Sequence, residues 1–128
     1  MPDYDYTMKI LCVDDFSTMR RIVKNMLKQL GFDNIEEAEN GSDAYGKLQG
    51  GDFKFVITDW NMPVMDGFEL VKAVRQRPEW NEMRILMVTT ENGVDEVVRA
   101  MRAGANEYLM KPFDIDDVRA KLALMGLV

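Results

Sequence analysis

The 128-residue chain has the size and composition of one globular domain, with 47% hydrophobic and 30% charged residues. Its net charge of −6 argues against a nucleic-acid-binding surface over the whole molecule, so we expect proteins or small ligands as partners. The chain has no histidine and a single cysteine, Cys12, which excludes histidine-based triads, histidine metal sites, a phosphohistidine carrier and an intrachain disulfide.

The N-terminal sequence bears on location and on domain limits. The start, MPDYDYTMK, lacks the basic region and apolar stretch of a signal peptide, and no apolar run reaches membrane length. We therefore expect a cytoplasmic protein that has no membrane partner. Residues 1–8 are interpreted as a frayed tail and residues 9–128 as one domain.

Short apolar runs alternate with amphipathic segments along the chain, which predicts five strand–helix units. The predicted strands are MKILCV, NIEEAE, FKFVITD, RILMVTT and NEYLMK. The predicted helices are a segment from Met19 to Leu30 closed by Gly31, then SDAYGKLQ, FELVKAVRQ, a segment with Val94, Val97, Val98 and Met101, and a segment with Ile115, Val118, Leu122 and Met125. Five such units imply parallel strands with helices on both faces, a doubly wound α/β sandwich.

The first predicted helix has a basic face, formed by Arg20, Arg21, Lys24 and Lys28. One interpretation is a solvated helix surface. The other is a docking surface for an acidic kinase or phosphatase.

Polar residues stand at the carboxyl ends of four predicted strands. The first strand ends in Asp14 and Asp15, the third in Asp59, the fourth in Thr89 and the fifth in Lys111. Ligands of doubly wound folds bind at this edge of the sheet. Three carboxylates and one ammonium sum to −2, a charge that one Mg²⁺ would neutralise with oxygen ligands. The alternative is that each aspartate only caps the helix that follows it.

Four segments in order resemble the receiver domains of bacterial two-component systems, and most closely the CheY-like single-domain response regulators. They are VDDFSTMRRIV, TDWNMPVMDG, MVTTE and YLMKPF, within a similarity that extends from about Lys9 to Lys121. The resemblance implies the strand order 2-1-3-4-5. It also implies a monomeric signalling protein that is not an enzyme beyond its own phosphorylation and dephosphorylation. Its partners would be a histidine kinase, a phosphatase and a downstream target such as the flagellar switch.

The resemblance also implies roles for individual residues near the acidic cluster. Asp59 would accept a phosphoryl group from the histidine kinase. Asp14, Asp15 and Asp59 would hold Mg²⁺ together with the backbone carbonyl of Asn61. From its position alone, Trp60 could anchor the core, but its place directly after the acceptor favours a residue that flanks the site.

Further residues are implied to sense and to tune the phosphoryl group. Lys111 would contact it, and the Thr89 hydroxyl would donate a hydrogen bond to one of its oxygens. Tyr108 would respond by changing from an exposed to a buried rotamer. Asn61 and Glu91 would flank the path of the attacking water and set the lifetime of the phosphoryl group.

Alternative functions share parts of this pattern. A phosphohydrolase of the haloacid-dehalogenase type also phosphorylates an aspartate after a strand, but it usually carries a second aspartate two residues later, where this chain has Asn61, which cannot titrate. A flavodoxin-like flavin carrier would need a Ser/Thr/Gly-rich phosphate loop after the first strand. The segment ENGVDEVV has Gly93 and Val94 where chemotaxis regulators tend to carry lysines, so a phosphate sink, a phosphorelay intermediate and a motility regulator stay open.

Overall fold

The computed structural model describes residues 5–90 and 94–128. The strands are β1 (Lys9–Val13), β2 (Ile35–Ala38), β3 (Phe53–Asp59), β4 (Arg84–Thr89) and β5 (Glu107–Met110). The helices are α1 (Ser17–Gln29), α2 (Gly41–Gln49), α3 (Gly67–Arg75), α4 (Val94–Ala103) and α5 (Ile115–Leu124). All paired strands are parallel, and the sheet order is β2-β1-β3-β4-β5. The doubly wound α/β fold and its expected strand order are confirmed.

Two hydrophobic layers cover the two faces of the sheet. Alternate residues of a strand point to opposite faces, so Ile10 and Cys12 of β1 enter the layer under α1 and α5. Leu11 and Val13 enter the layer under α2, α3 and α4. Because β1, β3 and β4 each have a strand on both sides and helices above and below, they are almost entirely buried and consist mainly of apolar residues.

Side-chain caps fix the starts of three helices. The Asn40 side chain accepts a hydrogen bond from an N–H in the first turn of α2. Asp66 and Glu69 form a reciprocal capping box at the start of α3, and Asp114 and Asp117 form another at α5. These caps place the helix starts within two residues of the predicted bounds.

A short 3₁₀-helix, Pro78–Trp80, lies between α3 and β4 and was not predicted. Proline at its first position is the sequence signal for it, because the fixed φ of proline suits the first turn of a helix. Within residues 5–90 and 94–128, no helix has the length and apolar character needed to cross a bilayer.

Candidate functional site

Three aspartates converge at the carboxyl ends of β1 and β3, which are neighbours in the sheet. One carboxylate oxygen from each of Asp14, Asp15 and Asp59 lies within 4.8 Å of the other two. Asp14 and Asp59 are buried, whereas Asp15 is exposed. Lys111, which directly follows β5, places its Nζ 3.1 Å from Asp59 Oδ1 and 3.5 Å from Asp14 Oδ2. The structure therefore brings together four residues that were predicted to share one site.

The electrostatics of this cluster favour an added cation. Burial and the negative charge of Asp14 raise the pKa of Asp59, and the Lys111 ammonium opposes that rise. One ammonium does not balance three carboxylates. Because the donors are all oxygen atoms and one face of the cluster is open at Asp15, the residues present fit a hard cation such as Mg²⁺.

Asp14 is held in place through three of its atoms. Its carboxylate Oδ1 accepts a hydrogen bond from the Phe16 N–H at 2.9 Å, and its own N–H donates to the Ala38 carbonyl at 3.1 Å. Its backbone carbonyl accepts a 2.6 Å hydrogen bond from Arg20 Nη1. Arg20 Nε in turn lies 3.0 Å from Glu37 Oε1. Arg20 was predicted only as part of a basic face, and its contact with Glu37 was not predicted because it joins α1 to β2, seventeen residues apart.

The loop between β3 and α3 bends tightly behind Asp59. The Gly67 N–H donates to the Trp60 carbonyl at 2.8 Å, and a Cβ atom at position 67 would lie 2.2 Å from the Asp59 carbonyl oxygen. Only glycine fits a backbone approach this close. Asn61, at the start of the loop and two residues after Asp59, is exposed.

A family model described as the response regulator receiver domain matches residues 10–123. The chain belongs to this family. It is 50% identical over 115 residues to the Vibrio cholerae protein named Chemotaxis protein CheY-3, covering 90% of this chain and 88% of that protein. It is also 50% identical to Chemotaxis protein CheY1 of Helicobacter pylori over 119 residues, covering 92% of this chain and 96% of the relative. The solved chemotaxis response regulator CheY4 of Vibrio cholerae superposes with a TM-score of 0.86 at 37% identity, covering 93% of this chain and 98% of that one.

Membership of the family indicates what an acidic cluster at this position does in receiver domains. Receiver domains bind Mg²⁺ at an acidic pocket of this kind, and CheY-like receiver domains are in general signalling proteins and not enzymes. CheY homologues interact with histidine kinases and with downstream target proteins.

The expected sensing residues of this receiver domain lie on β4 and β5. Thr89 ends β4 and is buried, and its carbonyl accepts a hydrogen bond from the Lys111 N–H at 2.9 Å. Tyr108 on β5 is half-buried, and Lys121 Nζ lies 4.8 Å from the centre of its ring. Glu91, the second residue expected to flank the attacking water, lies outside the described residues.

Trp60, which was expected either to anchor the core or to flank the site, directly follows Asp59, and its side chain packs into the core. Trp60 is 7% exposed and belongs to the hydrophobic layer under α2, α3 and α4. Its ring stacks on Phe68 with centroids 5.7 Å apart, and the Arg99 guanidinium of α4 lies 4.7 Å from the Phe68 ring. The side chains of the adjacent residues Asp59 and Trp60 point to opposite sides at the end of the strand. Asp59 therefore lies in the acidic cluster and Trp60 in the hydrophobic layer.

The basic face of α1 is divided between solvent and β2. Arg21 and Lys28 are exposed, as a solvated surface predicts. Arg20 and Lys24 instead reach Glu37, at 3.0 Å and 3.6 Å respectively. The hydrogen bond from Arg20 is the main cause that lowers the pKa of Glu37 below its ordinary value.

Proposed function

We propose that this receiver domain is a stand-alone response regulator in which phosphorylation of Asp59 switches a protein-binding surface. The observation that supports this most directly is the convergence of three carboxylates and the Lys111 ammonium at one edge of the sheet. The receiver domain would comprise residues 9–128, after a tail of residues 1–8. Of that tail, residues 1–4 lie outside the described residues.

The proposed transfer step uses Asp59 as the nucleophile. A carboxylate oxygen of Asp59 attacks phosphorus, an O–P bond forms, and the P–N bond to the donor histidine of the kinase breaks, with its electron pair returning to the imidazole. The modified side chain then carries about −2 charges in place of −1. Lys111 lies close enough to pair with the added charge. Phosphoryl transfer depends on positioning and charge stabilisation, both of which these groups supply.

Metal binding is assigned to Asp14, Asp15, Asp59 and the backbone carbonyl of Asn61. Mg²⁺ bound there would offset the charge that gathers on the transferred oxygens. Asp14 is fixed by its hydrogen bonds, whereas Asp15 is exposed and free to complete the coordination.

The output would be a protein contact at α4, β5 and α5. Thr89 would donate its hydroxyl to the phosphoryl group, and Tyr108 would move inward in response. Two relatives at 50% identity are named chemotaxis proteins, which supports a role in chemotaxis or motility. We assign the chain to the cytoplasm as a monomer, with a histidine kinase, a phosphatase and a target such as the flagellar switch as partners.

Labelling with a small phosphodonor tests this function. Acetyl phosphate with Mg²⁺ is expected to add a single phosphoryl group, removable by hydroxylamine and seen by intact mass. Asp15→Ala should remove the dependence of the rate on Mg²⁺, because the remaining carboxylates bind the ion weakly. Asp52→Ala is the matched control, since Asp52 is an exposed aspartate before β3, at the opposite end of that strand from Asp59. Labelling of wild-type protein that is equally fast in EDTA would contradict the proposal.

The lifetime of the phosphoryl group is expected to depend on the side chains at positions 61 and 91. Asn61 is exposed and stands two residues after Asp59, so Asn61→Arg should obstruct in-line attack by water and lengthen the lifetime by on the order of tenfold. We expect Glu91→Lys to act in the same direction. Because position 61 would contribute its backbone carbonyl to the metal, Mg²⁺ affinity should stay nearly constant. Decay of the labelled protein, followed by intact mass in each variant, measures the effect, and equal lifetimes would refute it.

A further inference from the structure

Arg20 contacts the acidic cluster through the protein backbone and not through a carboxylate. Its Nη1 donates to the Asp14 carbonyl oxygen at 2.6 Å, and its side chain is only 17% exposed. It also lines a small crevice under the site, together with Asp14 and Asp59. A guanidinium has two or more donors in a fixed plane, so one side chain can hold a carbonyl and a carboxylate at the same time.

A contact to the Asp14 carbonyl can orient both Asp14 and Asp15, two of the proposed metal ligands. This C=O and the N–H of Asp15 belong to one planar peptide unit, so holding the oxygen restricts ψ of Asp14 and φ of Asp15 together. These two dihedral angles set the direction of both carboxylates. Asp15 is exposed, so its position depends mainly on the contacts that hold the neighbouring Asp14.

Glu37 controls the orientation and the net charge of the Arg20 contact with Asp14. Its Oε1 lies 3.0 Å from Arg20 Nε, which orients the guanidinium towards the carbonyl and neutralises its charge. Without that partner, the guanidinium would stand near two buried carboxylates as an uncompensated cation. It would then compete with a metal ion for them.

We propose that Arg20, held by Glu37, is a positioning residue that fixes the Asp14–Asp15 peptide for Mg²⁺ binding. The inference rests on the proposed function and names two residues that would tune its metal site. Loss of a group that orients metal ligands typically weakens metal affinity by about 10- to 100-fold.

Lys24 supplies a matched control for Arg20. It also lies on α1, and its Nζ lies 3.6 Å from Glu37 Oε2; within the described part of the chain it forms no ion pair with Asp14. Arg20→Gln and Lys24→Gln each remove one positive charge near the same carboxylate. Removing a cation should slightly favour Mg²⁺ by charge alone, so weaker binding in Arg20→Gln has to come from lost positioning.

The experiment is a Mg²⁺ titration followed by the fluorescence of Trp60, with Trp80→Phe as background in every variant. We expect Arg20→Gln to bind Mg²⁺ roughly tenfold more weakly than the background protein, and Lys24→Gln to stay within about twofold. Arg20→Lys should fall between them, because one ammonium does not reproduce the planar pair of contacts. Urea unfolding of each variant verifies that it is folded.

The outcomes separate this inference from the function on which it rests. If the background protein shows no saturable Mg²⁺ binding, the proposed function and the inference both fail. If it binds Mg²⁺ and Arg20→Gln matches Lys24→Gln, only the inference fails. Arg20→Lys keeps the positive charge and serves if Arg20→Gln does not fold. Weaker Mg²⁺ binding in Arg20→Lys than in the background protein supports the proposal, and unchanged binding overturns it.

Discussion

Asp59→Asn is expected to abolish labelling by acetyl phosphate. The amide has neither the charge nor the nucleophilic oxygen pair of the carboxylate, so no acyl phosphate can form at this position. Lys111 keeps its 3.5 Å contact with Asp14 in the variant, and the site should therefore keep its shape. Intact mass after exposure to acetyl phosphate and Mg²⁺ measures the loss, and labelling at the wild-type rate would be incompatible with Asp59 as the acceptor.

The same variant should be more stable than the wild-type protein in Mg²⁺-free buffer at neutral pH. Burial and the charge of Asp14 raise the pKa of Asp59 in the folded state. A raised folded-state pKa gives a contribution to stability that is complete below the unfolded-state pKa and is lost as pH rises through the folded-state pKa. Ionised Asp59 is thus unfavourable at neutral pH, and asparagine removes it.

Urea unfolding at two pH values checks this second effect. The midpoint of Asp59→Asn should exceed that of the wild-type protein at pH 7 in EDTA, and the two should converge as the medium approaches the unfolded-state pKa of an aspartate. Added Mg²⁺ should also reduce the difference, because it stabilises the protein that retains all three carboxylates. A lower midpoint for Asp59→Asn in EDTA would show that the Lys111 pair outweighs burial and repulsion.

Much of this site was predictable because strand ends in a parallel sheet share one edge. Hydrophobic periodicity located β1, β3 and β5, and the residues that follow the apolar runs had to meet at their carboxyl ends. Asp14, Asp59 and Lys111 were placed together by that argument alone. Strand order came from the resemblance, since periodicity does not report which strands are neighbours.

The contacts that support the site were not predictable from periodicity. Arg20 and Lys24 follow the helical spacing of a solvated face, and only the packing of α1 beside β2 brings them to Glu37. The buried side chain of Trp60 depends on the stacked ring of Phe68 on the next helix. Such side-chain pairings depend on tertiary geometry, which a one-dimensional pattern does not contain.

The α4–β5–α5 surface is expected to bind an amphipathic helical peptide more tightly when Asp59 is phosphorylated. Three exposed apolar residues of α4, Val94, Val98 and Met101, are spaced i, i+4 and i+7 and therefore lie along one side of the helix. β5 is an edge strand beside them, with half-buried Tyr108. An exposed apolar stripe next to a half-buried aromatic ring is typical of a surface that takes a helix in a groove.

Tyr108 packs against the hydrophobic layer under α2, α3 and α4, and its contact with Lys121 is weak enough to be exchanged. Lys121 Nζ lies over its ring at 4.8 Å and pairs with Glu107 at 3.0 Å. A cation–aromatic contact at a partly exposed site contributes about 0.5–1 kcal/mol. Coupling between two sites in an allosteric protein is typically about 1–3 kcal/mol, which exceeds that contact. A change at Thr89 that opens space behind it can therefore draw Tyr108 inward.

Two variants should separate the output from phosphorylation. Tyr108→Ala removes the group that reports the state of Asp59, so the ratio of peptide affinities with and without beryllofluoride should fall from roughly fivefold or more towards one. Val98→Glu puts a charge on the exposed stripe and should weaken binding in both states. Val98 is chosen over the half-buried Val97 because a charge at an exposed position disturbs the packing less. Both variants should still be labelled at Asp59. Fluorescence anisotropy of a labelled peptide gives the affinities.

Ile22→Glu is the matched control, because Ile22 is an exposed apolar residue on α1, across the sheet from α4. It should leave the peptide affinities unchanged if the α4–β5–α5 surface is the output. Thermodynamic linkage supplies an independent check. If beryllofluoride raises the affinity for the peptide by some factor, the peptide must raise the affinity for beryllofluoride by the same factor. Equal peptide affinity in both states would show that the α4–β5–α5 surface is not the output. A loss in Ile22→Glu alone would place the output on α1.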